Sequence, residues 1–167
     1  MINVRKISLI MTMLVTSTVS LAQDVREEKT LSLALANVAA AVAIEACQAR
    51  GWLVSATVVD RVGQIKAVQR ADGAGPHTID SSRRKAYTAA SLRVNTSDLV
   101  QIVQKNPAAA GLVQIDGLLI LGGGMPIRAG GEVIGAIGVG GAPGGHLDDQ
   151  CAQAALDKVQ ERLGKSQ

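Results

Sequence analysis

Aromatic side chains are almost absent from this chain, and that absence constrains its core. Among 167 residues there are one Trp, one Tyr and no Phe. Aromatic rings usually supply much of the buried area of a domain. Here the interior has to be built from Ala, Val, Leu and Ile, with 18 glycines that let backbone segments approach closely. We therefore expect a core of small aliphatic side chains.

The first 22 residues have the three parts of a secretory signal peptide. Arg5 and Lys6 form a positive end, an apolar run covers residues 7–19, and Ser-Leu-Ala at residues 20–22 offers a cleavage site. A membrane anchor is the alternative, but the run is shorter than the roughly 20 residues that cross a bilayer. The pattern predicts cleavage after Ala22, a periplasmic or secreted protein, and no membrane span after processing.

The rest of the chain has the length of one domain. We expect a flexible N-terminal tail over residues 23–30, a single domain over residues 31–164 and a frayed C-terminus over residues 165–167. Loss of Arg5 and Lys6 would leave 15 of the 17 basic residues against 14 acidic ones. A nearly neutral chain with so few stacking residues is not expected to bind nucleic acid.

Hydrophobic periodicity predicts an α/β fold of the α+β type, with the element order α-β-β-α-α-β-β-β-α. Turn signals at residues 60–63 and 130–131 indicate hairpins. We therefore expect an antiparallel sheet of about five strands, flanked by helices. The predicted helices are 31–51 with Thr30 as its cap, 78–92, 97–104 and 147–163, and the predicted strands are 53–59, 64–69, 118–121, 125–129 and 132–139.

The first predicted helix is apolar on two sides, which indicates that the sheet covers one side and a second helix or another subunit covers the other. It also carries Cys47, and the last helix carries Cys151, the two cysteines of the chain. If these helices pack side by side in an exported protein, the two residues can form a disulfide. Two separate buried thiols are the alternative.

Familiar catalytic and metal-binding motifs are missing from the sequence. The glycine-rich run 138–145 lacks the spacing of a dinucleotide-binding loop, and there is no G-x-S-x-G elbow. His77 and His146 are too far apart in sequence to form a recognisable zinc motif. A single axial histidine is, however, enough to hold a haem.

His77 ends the loop Arg70–His77, which leads into a predicted helix with a basic run at residues 83–85. The free N–H groups of a helix N-terminus favour a carboxylate. A binding site for an anionic ligand is one interpretation of this segment. A solvated loop with an exposed histidine and a surface basic run is the other.

Five sequence blocks resemble the GlcG/HbpS family, which also includes the C-terminal domain of PduO-type proteins. The similarity extends from about Leu31 to Val159. It implies an antiparallel sheet flanked by helices, homo-oligomers from dimers to octamers, and haem binding in several members, including a secreted subgroup that takes part in haem or redox sensing. The blocks are 60–63 (DRVG), 70–74 (RADGA), 85–90 (KAYTAA), 122–127 (GGGMPI) and 135–142 (GAIGVGGA).

With this resemblance, the leading hypothesis is an exported protein that binds haem or a similar anionic tetrapyrrole, for storage, scavenging or redox sensing. His77 would be the axial ligand of the haem iron. Arg70, Arg84 or Lys85 would pair with the propionates. The backbone of Gly123 and Gly124, or the thioether of Met125, would lie close to the porphyrin ring.

Two alternatives remain open at this point. One is an enzyme or accessory protein that acts on a small anionic metabolite such as a hydroxy acid, with Asp72, Lys85 and Thr88 as its polar groups. The other is an oligomeric sensory or structural protein whose surface binds a partner, as the two-sided first helix suggests.

Overall fold

The computed structural model describes residues 26–164. The predicted signal peptide and the predicted frayed C-terminus lie outside these residues. Four α-helices, one 3-10 helix and four strands follow one another over the described range. In chain order they are α1 (Leu33–Gln48), β1 (Ser55–Asp60), β2 (Ile65–Arg70), α2 (His77–Leu92), α3 (Thr96–Lys105), the 3-10 helix (Pro107–Gln114), β3 (Gly124–Ala129), β4 (Glu132–Gly140) and α4 (Gly145–Gly164).

The strands form an antiparallel sheet in the order β2-β1-β4-β3. The α+β class is confirmed, but the sheet has four strands over residues 26–164 instead of about five. The segment Leu118–Leu121 was predicted as a strand and is a loop. Its amides bond locally and to Thr88 Oγ1 in α2, so this apolar run pairs with no strand.

Helix α2 covers one face of the sheet, and α1 and α4 pack side by side on the other. The contact with α2 is unusually close and partly polar. The hydroxyls of Thr57 and Ser82 are 2.8 Å apart, and a side chain in place of Gly138 would overlap the backbone carbonyl of Ser82. The glycines of β4 therefore allow the close approach that the composition predicted.

On the opposite face, α1 and α4 are joined by a disulfide between Cys47 and Cys151, whose Cα atoms are 5.5 Å apart. Four alanines of α1 are fully buried, namely Ala36, Ala39, Ala40 and Ala43, whereas Leu35 and Val42 are half-buried. Helix α1 is capped by Ser32, whose Oγ accepts the N–H of Leu35, so the prediction of Thr30 as the cap was wrong.

The segment before α1 contacts the hairpins of the sheet. The N–H of Leu31 donates to the carbonyl of Ile134 in β4 at 2.9 Å. Glu28 and Lys29 form ion pairs with Arg61 and Glu132. Part of the predicted tail thus lies beside the β1–β2 and β3–β4 turns. Of the helices in residues 26–164, none has the length and hydropathy needed to cross a bilayer.

Candidate functional site

The structure separates the predicted site residues into two main regions. We call the loop Arg70–His77 the entry loop, because it leads into α2. We call the second region the glycine junction, where the start of β3, the end of β4, α2 and the start of α4 meet. Its members are Lys85, Gly122, Gly123, Gly124, Asp148 and Asp149.

His77 is the first residue of α2, and its side chain is exposed. The ring lies over Gly75, where a Cβ would be 2.7 Å from the ring carbon Cε1. Among residues 26–164, no hydrogen bond or ion pair engages its ring nitrogens. His146 has a similar setting in the first turn of α4, because it is exposed and its ring lies over Gly144.

Arg70 braces the entry loop. Its Nε donates to the carbonyl of Ala74 at 2.9 Å, and its Nη2 donates to the same oxygen. Asp72 lies exposed in the turn that this contact closes. Since a carbonyl carries no net charge, this contact does not neutralise the guanidinium of Arg70.

The glycine junction contains a buried ion pair. The side chain of Lys85 is 1% exposed, and its Nζ donates to Asp148 Oδ2 at 2.7 Å and to the carbonyl of Val139 at 2.9 Å. The other oxygen of Asp148 accepts the N–H of Ala142 at 3.0 Å. Burial raises the pKa of the Asp148 carboxyl, and the nearby Lys85 ammonium opposes part of that rise.

Glycines make room for this pair. Gly123 has a φ of +114°, and a Cβ there would lie 2.7 Å from Asp148 Cβ and 2.9 Å from Lys85 Nζ. The N–H of Gly123 donates to Asp149 Oδ1 at 2.6 Å, and Ser97 donates to the other oxygen of Asp149. Gly123 therefore packs against the ion pair, and Gly124 packs against the backbone carbonyl of Lys85.

The remaining predicted residues lie elsewhere. Arg84 Nη2 donates to the carbonyl of Leu118 at 2.6 Å, and Thr88 Oγ1 accepts the N–H of Leu119 at 2.8 Å. Both residues hold the loop before β3. Met125 is buried in the core cluster that includes residues of α1 and α4.

Arg70 and His77 thus lie on the same loop, and Lys85 lies beside Gly123 and Gly124, but the structure does not bring the two groups to one hollow. Nor do Asp72, Lys85 and Thr88 converge, because Asp72 is exposed and the other two are buried and engaged.

Sequence reasoning missed Asp148 and Asp149. They follow a glycine-rich turn in the first turn of a helix, where an acidic residue is ordinarily explained by the helix dipole. The partner of Asp148 lies 63 residues earlier in the chain. No local pattern could have indicated that pairing. Within the described range no cluster of three or more His, Cys, Asp or Glu side chains is placed to hold a metal ion.

Comparison with known proteins assigns the chain to a family. The family model described as "Haem degrading protein HbpS-like" matches residues 31–157, and the chain belongs to this family. Protein GlcG of Escherichia coli K12 is 36% identical over 109 residues, which cover 65% of this chain and 80% of GlcG.

Solved structures confirm the fold. A double mutant of HbpS from Streptomyces reticuli matches with a TM-score of 0.77 and 39% identity, covering 85% of this chain and 95% of that one. A complex of PduOC with haem matches with a TM-score of 0.69 and 24% identity, covering 77% of this chain and 94% of PduOC. The second likeness is one of fold alone.

Proposed function

We propose that this protein binds haem at the entry loop, with His77 as the axial ligand. The proposal rests on the imidazole of His77. It is exposed, and no side chain or carbonyl in residues 26–164 forms a hydrogen bond with its ring nitrogens. Membership of a family described by its haem chemistry supports this choice of ligand.

The surroundings of His77 suit part of a haem. Leu53 and Ile79 are 46% and 41% exposed, and a Cβ on Gly73 would lie 3.1 Å from Leu53 Cδ1. These apolar side chains near the entry loop would contact the porphyrin, while the exposed guanidinium of Arg70 would pair with a propionate. Bound haem would supply a redox-active iron.

The buried residues that the sequence assigned to the haem site have a structural role in this proposal. Lys85, Gly123 and Gly124 keep the glycine junction closed, and Met125 fills the core. Arg84 holds the loop before β3. Of the predicted cations, Arg70 would therefore pair with a propionate, because it is exposed on the entry loop itself, whereas Lys85 is buried and Arg84 is half-buried against the loop before β3.

We also propose that the protein is exported and forms a homo-oligomer. Export is supported by the N-terminal sequence pattern and by the disulfide, which is typical of oxidising compartments. Cell fractionation tests export, and light scattering after gel filtration measures the oligomer with and without haemin.

Haemin titration tests the ligand assignment. We expect a Soret shift that saturates in the wild type and is altered or lost in His77→Ala. His146→Ala is the matched control, because it removes the other exposed histidine at a helix start and should behave as wild type. If haemin gave the same Soret shift with His77→Ala as with the wild type, this residue would be excluded as the ligand.

A further inference from the structure

A cleft lined by four arginines lies near the C-terminal end of α2, about 24 Å along that helix from His77. Its volume is about 300 Å³. We call it the arginine cleft. It is lined by Arg26, Arg61, Arg93, Arg128, Gly131, Glu132 and Val133.

The fold brings these arginines from four separate parts of the chain. Arg26 comes from the segment before α1, and Arg61 from the β1–β2 turn. Arg93 directly follows α2, and Arg128 lies in β3 near the β3–β4 turn. This convergence is a tertiary feature, because no two of the four are close in sequence.

Carboxylates balance only part of the charge of the cleft, because Glu132 is the one acidic residue in its lining. Arg61 pairs with Glu28 at 3.4 Å, and Glu132 pairs with Lys29 outside the arginine set. Over residues 26–164, no carboxylate forms an ion pair with Arg93 or Arg128. Four cations held near one another repel, and an anion in the cleft would relieve that repulsion.

Arg128 is positioned by neutral groups. Its Nη2 donates to the carbonyl of Arg93 at 2.7 Å, and its Nη1 donates to the carbonyl of Gly131 at 3.3 Å. These contacts fix the guanidinium without neutralising it. The remaining N–H groups can donate to an oxyanion in the paired geometry that arginine favours.

Arg93 has a backbone conformation that favours glycine. Its φ is +59°, and it is the one non-glycine residue with positive φ among the described residues. A left-handed residue after a helix is usually Gly, and a side chain there costs about 1–2 kcal/mol. Arg93 occupies this strained position and lines the cleft.

From these observations we propose that the arginine cleft binds a small anion with two or more phosphate or carboxylate groups. Several arginines in a cleft of this size suit a compact, multiply charged ligand better than a monovalent ion. The inference is independent of haem binding, because the cleft and His77 lie at opposite ends of α2.

Isothermal titration calorimetry on the haem-free protein tests the proposal with two probes, tripolyphosphate and citrate. We expect at least one to bind, and the one that binds identifies phosphate or carboxylate as the preferred group. Arg93→Gln and Arg128→Gln should each weaken binding about tenfold or more, as expected for loss of a charge-assisted hydrogen bond.

Arg83→Gln is the matched control. It removes the same charge from the exposed side of α2, where Arg83 pairs with Asp80 outside the cleft. We expect less than about a twofold change, since an exposed distant charge is screened by salt. If neither probe binds, or if Arg83→Gln weakens binding as much as the cleft variants, the proposal is overturned.

Arg93→Gly separates binding from folding. Glycine relieves the left-handed strain, so this variant should unfold at a higher urea concentration than the wild type. It should nevertheless bind the probe about tenfold or more weakly, like Arg93→Gln. Wild-type affinity in Arg93→Gly would show that the side chain does not hold the anion.

Discussion

The glycine junction and the entry loop both contain polar groups that the sequence assigned to one binding site, and their physical states are opposite. In the junction, Lys85 is 1% exposed and holds Asp148. In the entry loop, His77 is exposed, and the described residues place no partner on its ring. A basic side chain near a glycine-rich segment therefore indicates a ligand only when the fold leaves it accessible. The junction supports the fold, and the loop is available for binding.

The largest effect on stability is expected when the buried pair is broken. Lys85→Met should lower the free energy of unfolding by about 3–5 kcal/mol, because it leaves the Asp148 carboxyl buried without its cation. Urea denaturation followed by circular dichroism measures this change.

The chain offers a matched control for that experiment. Lys158 and Glu161 form an ion pair with the same 2.7 Å N–O distance, but both side chains are almost half exposed. Lys158→Met should cost less than about 1 kcal/mol. Comparable losses in the two variants would contradict the view that burial makes the junction critical.

The next largest effect concerns Gly123, which packs against the buried ion pair, with Gly131 as its control. Gly123 and Gly131 both have positive φ, but a Cβ at Gly123 would lie 2.5 Å from the carbonyl oxygen of Val139, whereas one at Gly131 meets nothing within 4 Å. Gly131→Ala should cost about 1 kcal/mol through backbone strain alone. Gly123→Ala should cost about 2–4 kcal/mol, since it adds overpacking. Thermal denaturation of the two variants measures the difference in stability. Equal losses would mean that the glycine junction rearranges at little cost to accept the added methyl group.

Much of the fold followed from local patterns. The turn at residues 60–63 is as predicted, because Asp60 accepts two backbone N–H groups and Gly63 has a φ of +83°. The loop Leu118–Leu121 was misassigned because four apolar residues do not show whether a neighbouring strand exists to pair with them. A local sequence pattern thus predicts a turn well when the turn is held by its own residues. It predicts a strand poorly, because a strand depends on a partner that is distant in sequence.

The site was harder to predict for the same reason. Lys85 looked available because its sequence neighbours are basic and polar, and its burial depends on Asp148 in another element. The arginine cleft was not predicted at all, since its members lie in four parts of the chain. Exposure and long-range pairing are properties of the tertiary structure.

A smaller effect should appear in the pH dependence of stability. Burial raises the pKa of Asp148 above its ordinary 3.8, so the folded state binds the proton more tightly than the unfolded state. The contribution of this group to stability is therefore full below pH 3.8 and is lost as the pH rises through the raised value.

Urea denaturation of the wild type and Asp148→Asn over a pH series isolates that contribution, because the other carboxyls cancel in the difference. The wild type should lose stability relative to Asp148→Asn as the pH rises above about 4. If the wild type instead gained stability relative to Asp148→Asn as the pH rises, the attraction of the Asp148 carboxylate to Lys85 would outweigh the cost of burying it.

The smallest change in stability is expected in the entry loop. His77→Ala should change the free energy of unfolding by less than about 0.5 kcal/mol, because the ring is exposed and no group in the described part of the chain bonds to it. Haemin should then distinguish the two proteins. At a haemin concentration about 100 times the dissociation constant, binding stabilises the folded wild type by about 2.7 kcal/mol, and His77→Ala should lose most of that gain. If His77→Ala instead destabilised the haem-free protein as much as Lys85→Met does, the imidazole would be part of the scaffold, and the contrast between a closed junction and an available loop would be lost.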